Sequence, residues 1–400
     1  MLSELELATK VLAMIAVLSL TVSQMGLSAS VMAAAQANWK STESRVVYQS
    51  NPNIDPGDRL RYNVLPCLVR MSNGSLVALV EPGPWNATSS EPIFICSTDG
   101  GKNWSEPYSG VLPEGVGKIH TLGARRDGRL MATVWKGSSN LLSPTLKKWS
   151  RKGDSALKLP DGRKCEAYEG YRTTGEARFA VSSDQGKTWT IGNDIGSRMN
   201  GTSTMGRILE LDDGTLVLPV FGFLTDQDMD GIFASAGVRC SSDNGASWKL
   251  GVIGRADLDE RIIFTEPSVA MLQNGTLVAL MRTEDRIIGG GRSGLYRAIS
   301  KDGGKTWSSP VRTLSGTQGS VVQLPDGVLL CGYHAPPQLA LSADNGVSWY
   351  AQMPWLTEQG QMPRGWYSSV EVVDQTTAVA LIKEFPAPNI IRACLLHRQP

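Results

Sequence analysis

The chain carries almost no net charge and few of the residues that hold metals or staple small domains. Its 39 Lys and Arg residues nearly balance its 38 Asp and Glu residues, so the formal net charge is +1. This balance gives no electrostatic case for binding nucleic acid or an anionic membrane. Only three histidines and six cysteines occur, and no Cys-x-x-Cys pair, so a zinc site of that kind is not supported. We predict no metal, no cofactor and no nucleic-acid partner.

Helical repeats, low-complexity stretches and Pro/Ser-rich linkers are also missing from residues 44–400. We therefore predict one domain over that range. Four of the six cysteines fall inside predicted strands, which favours buried small apolar side chains over a disulfide framework. Cys67 and Cys96 are the one pair worth testing as a disulfide.

The first 37 residues have a different character. Residues 11–22 form an uncharged apolar stretch, and the small-residue run Ala33–Ala37 offers an Ala-x-Ala cleavage site. We predict that residues 1–37 are a signal peptide and that the protein is secreted or periplasmic, with no other membrane contact. An uncleaved anchor is the alternative, because no charge occurs from Val11 to Ala37.

One short pattern, Ser-x-Asp-x-Gly-x-x-Trp, occurs five times, with copies that begin at Ser97, Ser182, Ser241, Ser300 and Ser342. In each copy the Asp can accept hydrogen bonds from backbone N–H groups, and a following Gly supplies a positive φ. The Trp that closes each copy is expected to pack against neighbouring strands. A repeat of this kind fixes the architecture before any single residue is interpreted.

A second repeat is an apolar strand, a Gly turn and another apolar strand, centred on Gly74, Gly128, Gly214, Gly275 and Gly327. Asn-Gly and Asp-Gly between apolar runs are strong hairpin signals. A degenerate sixth copy surrounds Asp374 and precedes a strand at Ile390–Leu396. The sequence therefore predicts an all-β fold, a six-bladed β-propeller with Asp-box repeats and four strands per blade. Arg45–Gln49 is predicted to close the last blade.

In a four-stranded antiparallel blade, the turn between strands one and two and the turn between strands three and four lie on the same face. The Gly hairpins and the Ser-x-Asp-x-Gly-x-x-Trp copies, here called Asp boxes, occupy these turns. A site must therefore form from the remaining loops, on the opposite face. The chemically distinctive residues of those loops are Glu81, Glu91, His120, Glu266, Arg282, His334 and Tyr367. An unusually long connection, from Lys136 to about Gly175, adds bulk to the same face in blade two.

The repeats resemble the Asp-box, or BNR, repeat of the sialidase superfamily, and the resemblance covers essentially the whole chain after the leader. Thr265–Val269, followed sixteen residues after Glu266 by Arg282, is similar to the sialidase strands that carry the catalytic glutamate and one carboxylate-binding arginine. Gly365–Val370 resembles the segment of the nucleophilic tyrosine, and Gln318 lies in a segment similar to the start of the preceding blade. The resemblance implies that Tyr367 attacks the sugar while Glu266 takes its proton.

The sequence departs from the sialidase pattern at three places. Val64 stands where that family has its first arginine, and His334 stands near the place of the third, so Arg282 alone is kept. Neither Val nor His replaces the bidentate pairing of Arg with a carboxylate. Arg61 is our candidate for a replacement, with Arg172, Arg286 and Arg364 as alternatives.

The third departure concerns the acid/base, because the loop that carries an Asp in sialidases has none here. Glu91 is the candidate acid, and Glu81 the weaker one. His120 and His334 are candidate substrate-binding residues, open also to proton transfer or to no role. Gln318 is a further candidate for substrate binding. The acidic loop Asp226–Asp230 has calcium-like spacing but lacks the Glu at position twelve, so a solvated loop is the default.

Three functional hypotheses remain open after this comparison. The first is a retaining exo-α-sialidase that releases terminal sialic acid from glycans. The second is the same fold acting on a different sugar, which the missing arginines favour. The third is a non-catalytic propeller that binds glycan or protein. The Tyr367 and Glu266 pair discriminates against the third, since a binding module has no need of a buried phenol and carboxylate together.

Overall fold

The computed structural model describes residues 39–50, 66–81, 91–139, 157–158, 164–165, 173–196, 199–224, 234–257, 262–283, 293–334, 336–363, 365–384 and 390–399. Every regular element in this part of the chain is a β-strand. The strands in chain order are β1 (Trp39–Ser41), β2 (Arg45–Gln49), β3 (Cys67–Arg70), β4 (Leu76–Glu81), β5 (Ile93–Ser97), β6 (Tyr108–Ser109), β7 (Lys118–Ala124), β8 (Leu130–Ser139), β9 (Leu157–Lys158), β10 (Lys164–Cys165), β11 (Thr173–Ser182), β12 (Thr190–Asp194), β13 (Met199–Thr204), β14 (Leu209–Glu210), β15 (Leu216–Leu224), β16 (Ser235–Ser241), β17 (Lys249–Gly254), β18 (Thr265–Met271), β19 (Leu277–Thr283), β20 (Gly294–Ser300), β21 (Val311–Leu314), β22 (Thr317–Gln323), β23 (Leu329–His334), β24 (Gln338–Ser342), β25 (Tyr350–Pro354), β26 (Gly365–Val372), β27 (Thr377–Glu384) and β28 (Ile390–Arg398).

The strands form six antiparallel sheets that are the blades of a β-propeller, as the two repeats predict, and β9 and β10 form a separate two-stranded sheet. Blades one to five are β3–β6, β7 with β8, β11 and β12, β13–β17, β18–β21, and β22–β25. Blade six contains β26, β27 and β28, and its outer side is completed by β1 and β2, which both pair with β28. The predicted closing strand Arg45–Gln49 is thus confirmed.

Apolar side chains fill the six interfaces between neighbouring blades. Each of the six buried clusters in the described part of the chain draws its members from two adjacent blades. Successive side chains of a strand point to opposite faces of the blade, and here both faces carry apolar residues. Each blade can therefore bury both of its faces against its two neighbours. The blades are therefore held in fixed positions around the central axis.

The Asp boxes have the geometry that their sequence predicts. In the fourth copy, Asp302 accepts hydrogen bonds from the backbone N–H of Thr306, at 2.9 Å, and from the hydroxyl of Ser300, at 2.8 Å. The indole N–H of Trp307 donates to the carbonyl of Gly304 at 3.0 Å. The fifth copy differs, since Trp349 donates to the hydroxyl of Thr313 at 2.9 Å.

Two other sequence predictions can be compared with the structure. Cys67 and Cys96 are free thiols, and Cys67 is buried, so these two residues do not form a disulfide. The predicted signal peptide lies outside the described residues. Among the residues that are described, no helix is long and apolar enough to cross a membrane.

We predict that the substitution Asp302→Asn lowers the melting temperature by about 1–3 °C, because it weakens the hydrogen bonds inside one box. Hydrogen bonds from Thr306 lower the pKa of Asp302 to about 2. A depressed carboxyl pKa adds stability above the unfolded pKa of about 4, and that stability is lost as the pH falls toward 2. The difference from wild type in differential scanning fluorimetry should therefore shrink below pH 4. Glu114→Gln, at an exposed loop residue, is the control, and an equal loss there would contradict this account.

Candidate active site

Four of the innermost strands, β7, β18, β22 and β26, have a shift in pairing register close to their first residue. That end of each strand lies on the face opposite the Asp boxes. The pairing register shifts at His120 in β7, at Glu266 and Pro267 in β18, at Gln318 in β22 and at Tyr367 in β26. A β-bulge re-aims the side chain that it carries. Glu266, Gln318 and Tyr367 have positive φ values of 49°, 45° and 62°. These three residues therefore occupy equivalent positions, at the bulge near the start of the innermost strand of blades four, five and six.

Tyr367 and Glu266 meet between blades six and four. The hydroxyl of Tyr367 donates to Oε1 of Glu266 at 3.3 Å. The guanidinium of Arg282 donates to Oε2 of the same carboxylate at 3.0 Å. Both Tyr367 and Glu266 are 9% exposed. The structure thus brings together three residues that the sequence singled out, with a carboxylate placed to accept a phenolic proton.

His334 completes this group from blade five. Its ring lies edge-on to that of Tyr367, with 5.6 Å between the ring centroids. Its Nδ1 is 2.9 Å from the hydroxyl of Thr317. Burial, and then the charge of Arg282, lower the pKa of His334 to about 3. The imidazole is therefore neutral at physiological pH, and Arg282 is the cation of this group.

Strand register explains why Arg282 and His334 both reach the site. Arg282 lies opposite Thr265, the residue that precedes the bulge in blade four, and His334 lies opposite Thr317 in the same relation. Lys383 occupies the equivalent position in blade six, and it is buried. Equivalent positions in three successive blades thus carry an arginine, a neutral histidine and a lysine.

His120 stands on the other side of the ring of blades. Its ring is 5.6 Å from that of Trp135, and its Nδ1 is 3.4 Å from the carbonyl oxygen of Thr204. The ammonium of Lys118 lies 5.6 Å from the centroid of the Trp135 ring, a cation–π distance. Burial, and then Lys118, lower the pKa of His120 to about 3, and burial lowers that of Lys118 to about 8. His120 is therefore a neutral hydrogen-bonding group.

Several residues that the sequence analysis singled out lie apart from this group or in undescribed segments. Glu91 is exposed just before β5 in blade one, whereas Tyr367 and Glu266 are buried in blades six and four. The side chain of Glu81 and all of Arg61 lie outside the described residues. The other undescribed residues to which the sequence analysis gave a role are Val64, Arg172, Arg286, Arg364 and the acidic loop Asp226–Asp230.

An ion pair forms the floor beneath the site. Arg207, which follows β13 of blade three, is paired with Glu371 of β26 in blade six. Its Nη2 also donates to the carbonyl of Val321 in blade five at 3.4 Å. Blades three and six are opposite one another in a ring of six, so this pair spans the central axis. The pair therefore links opposite blades across the axis of the propeller.

Sequence reasoning missed Lys118, Thr317 and the Arg207–Glu371 pair. A signal for the first two was present, because the bulged residues His120, Gln318 and Glu266 lie eight or nine positions before the hairpin glycines. Thr317 directly precedes Gln318 in blade five, and Lys118 lies two positions before His120 in blade two. Among the described residues, no group of three or more His, Cys, Asp or Glu side chains could hold a metal ion.

Comparison with protein families agrees with this geometry. A model of the BNR repeat-like domain matches residues 160–379, and one of the BNR/Asp-box repeat matches residues 95–106. The first match covers more than half of the chain. The protein therefore belongs to the BNR repeat-like domain family, and its fold is the six-bladed propeller of the sialidases.

Individual relatives extend the likeness to both sialidases and another hydrolase. A sialidase from Bacteroides fragilis is 30% identical over 249 residues, 56% of this chain and 42% of that protein. The match thus spans less than half the length of this relative. A Hadza microbial sialidase superposes with a TM-score of 0.58 at 20% identity, over 84% of this chain and 66% of its own. An α-L-arabinanase from Penicillium chrysogenum, complexed with arabinobiose, gives 0.62 at 15% identity, over 90% and 98%. At these identities the two structures establish the fold alone.

We predict that Arg282→Met raises the pKa of His334, because it removes the positive charge that opposes protonation. Burial is the larger cause of the low pKa, so the value should rise above 3 yet stay below the ordinary value of about 6.5. An NMR titration of the imidazole signals measures this change. Arg297→Met, in the same blade but bonded to the carbonyl of Asn345, should leave it unchanged. An unaltered His334 titration in Arg282→Met would contradict the assigned electrostatics.

Proposed function

We propose that the protein is a retaining exo-glycosidase with Tyr367 as nucleophile and Glu266 as its base, and that it releases terminal sialic acid or a closely related sugar from glycans. The observation that carries the proposal is the 3.3 Å hydrogen bond from the Tyr367 hydroxyl to Glu266. A sialidase-fold glycosidase with a glycan substrate fits both this bond and the family. Sialidases with a tyrosine nucleophile depart from the usual two-carboxylate scheme in the same way.

In the first step the phenolic oxygen of Tyr367 bonds to the anomeric carbon while the bond to the leaving oxygen breaks. The phenolic proton passes to Oε1 of Glu266, and an acid protonates the leaving oxygen. In the second step the acid, now deprotonated, takes a proton from water while the water oxygen bonds to the anomeric carbon, the bond to Tyr367 breaks, and Glu266 returns the phenolic proton to the Tyr367 oxygen. Arg282 holds the other carboxylate oxygen of Glu266 at 3.0 Å throughout, so the base keeps its orientation.

The choice of a phenol indicates the type of sugar. Sialic acids carry a carboxylate on the anomeric carbon, which repels an anionic Asp or Glu nucleophile but not a neutral phenol. Arg282, the positive charge beside Tyr367 and Glu266, is suited to attract that carboxylate. Glu91 remains our candidate for the acid that protonates the leaving group, with an exposed position beside the connection between strands β4 and β5.

A second candidate is a glycosidase for a sugar without a carboxylate. His334, at the position equivalent to Arg282 in the next blade, is held neutral, so blade five adds no cation to the site. The fold itself does not require an acidic sugar, because the arabinanase of the same fold is complexed with arabinobiose, a neutral disaccharide. A non-catalytic glycan-binding propeller is the third candidate, and nothing in the Tyr367 and Glu266 geometry favours it.

We predict that the purified chain releases 4-methylumbelliferone from its α-sialoside and that Tyr367→Phe lowers turnover by at least about 1,000-fold, because it removes the nucleophilic oxygen. Fluorescence of the released dye is the measurement. Tyr333→Phe is the matched control. It removes another buried tyrosine hydroxyl, one bonded to Gln338 at 2.6 Å outside the proposed machinery, and should retain turnover.

The outcome decides between the three candidates. If α-sialosides are not cleaved but an arabinoside or another neutral glycoside is, and Tyr367→Phe abolishes that turnover, the second candidate replaces the first. Equal turnover in wild type and Tyr367→Phe would exclude Tyr367 as nucleophile. If no glycoside in the panel is cleaved, the non-catalytic propeller is favoured.

We also propose that residues 1–37 direct export and are removed, so that the protein acts outside the cytoplasm. The support is the apolar stretch at residues 11–22 and the Ala-x-Ala site that ends at Ala37. We predict that intact-mass analysis of the exported protein gives a chain that begins at Asn38. Replacing Ala35 and Ala37 by Asp should block this cleavage. An exported chain that keeps all 37 residues would instead indicate an anchor.

A further inference from the structure

Gln318 is hydrogen-bonded to the residue that directly follows the proposed nucleophile. It occupies the bulge at the start of β22 in blade five, with a φ of 45° and 6% exposure. Its side-chain carbonyl Oε1 accepts the backbone N–H of Ser368 in blade six at 3.3 Å. Ser368 directly follows Tyr367. The side-chain amide of Gln318 in blade five is therefore hydrogen-bonded to the backbone of blade six, next to the proposed nucleophile.

The backbone at Tyr367 needs such a constraint. Its φ of 62° lies in the left-handed region, which a residue with a bulky side chain rarely adopts. The ladder to β27 includes Trp366 and Ser368 but shifts between them, so Tyr367 itself is left out of the pairing. The conformation persists only if its surroundings fix it, and the bond from Gln318 acts on the first residue after the bend.

We propose that Gln318 is a positioning residue that holds Tyr367 in the left-handed bend and thereby aims its hydroxyl at Glu266. The proposal rests on the proposed function in assigning the nucleophilic role to Tyr367. Without the Ser368 bond the bend can relax toward ordinary strand geometry, which moves the phenolic oxygen away from the carboxylate. A misplacement of about 1 Å in a reacting group costs about 100-fold in rate.

Blade five provides a matched comparison two residues further along the same strand. Ser320 accepts the backbone N–H of Val370 through its hydroxyl at 3.2 Å. This bond joins the same two strands and is also buried, but its donor N–H belongs to Val370, three positions after Tyr367. Loss of the Ser320 bond therefore tests the structural cost of one such link without disturbing the bend itself.

The experiment compares Gln318→Met, which keeps the side-chain length and removes the acceptor, with Ser320→Ala. Both variants should lose a similar few degrees of melting temperature. The first reading is NMR of protein labelled at the tyrosine ring carbon that bears the hydroxyl, with the Tyr367 signal assigned by its absence in Tyr367→Phe. We expect the chemical shift and the phenol titration of Tyr367 to change in Gln318→Met and to match wild type in Ser320→Ala.

The second reading is steady-state kinetics on a cleaved glycoside. Gln318→Met should lower kcat by about 10- to 100-fold with KM within about threefold, while Ser320→Ala keeps the wild-type kcat. Unchanged Tyr367 signals in Gln318→Met, or equal changes in both variants, would overturn the proposal. A raised KM with normal kcat would also overturn it and identify Gln318 as a substrate contact. The NMR measurement needs no substrate. Absence of turnover in wild type would therefore count against the proposed function alone, and the Tyr367 signal would still decide whether Gln318 positions Tyr367.

Discussion

The inner strand of each blade has one free edge, and the arrangement of the whole propeller depends on how that edge is satisfied. Backbone N–H groups on such an edge must find acceptors when they are buried. Here side chains of a neighbouring blade supply many of them. The acceptor side chains, each with the backbone N–H that it binds, are Cys67 with Leu122, Ser268 with Val321, Gln318 with Ser368, Ser320 with Val370, and Ser369 with Leu68. These bonds join blades that share no sheet.

Because the inner strands are joined in this way, they can carry bends that an isolated strand would lose. The bulges at Glu266, Gln318 and Tyr367 are such bends, and two of them bring the Tyr367 hydroxyl and the Glu266 carboxylate within hydrogen-bond distance. Below them the Arg207 and Glu371 pair spans the axis and holds blades three and six together. The rigid lower part of the propeller thus maintains strained residues in its upper part, a common arrangement at functional sites.

The sequence was sufficient to predict the fold, and it singled out Tyr367 and Glu266, which the structure brings within hydrogen-bond distance. Hairpin glycines and Asp boxes have local signatures, so the number of blades and the face of the site could be predicted from them. Tyr367 and Glu266 were recognised from motifs in two separate segments. The bond between Gln318 and Ser368 and the pairing of Arg207 with Glu371 could not be predicted. Their partners are 50 and 164 positions apart in the sequence and lie in different blades, so each contact depends on how the blades are arranged in space. The neutrality of His334 likewise depends on burial and on Arg282, which no local pattern encodes.

The closure of blade six has a consequence for when the protein can fold. Its outer strands β1 and β2 come from the beginning of the chain, and they pair with β28 near the end. The first described strands therefore stay without their partner until the last one has been made. When only five blades have been synthesised, the ring of blades is still open, and its exposed sheet edges can pair with other chains. Completion of the ring therefore comes late, because it waits for a strand near the end of the described chain to meet strands from its beginning.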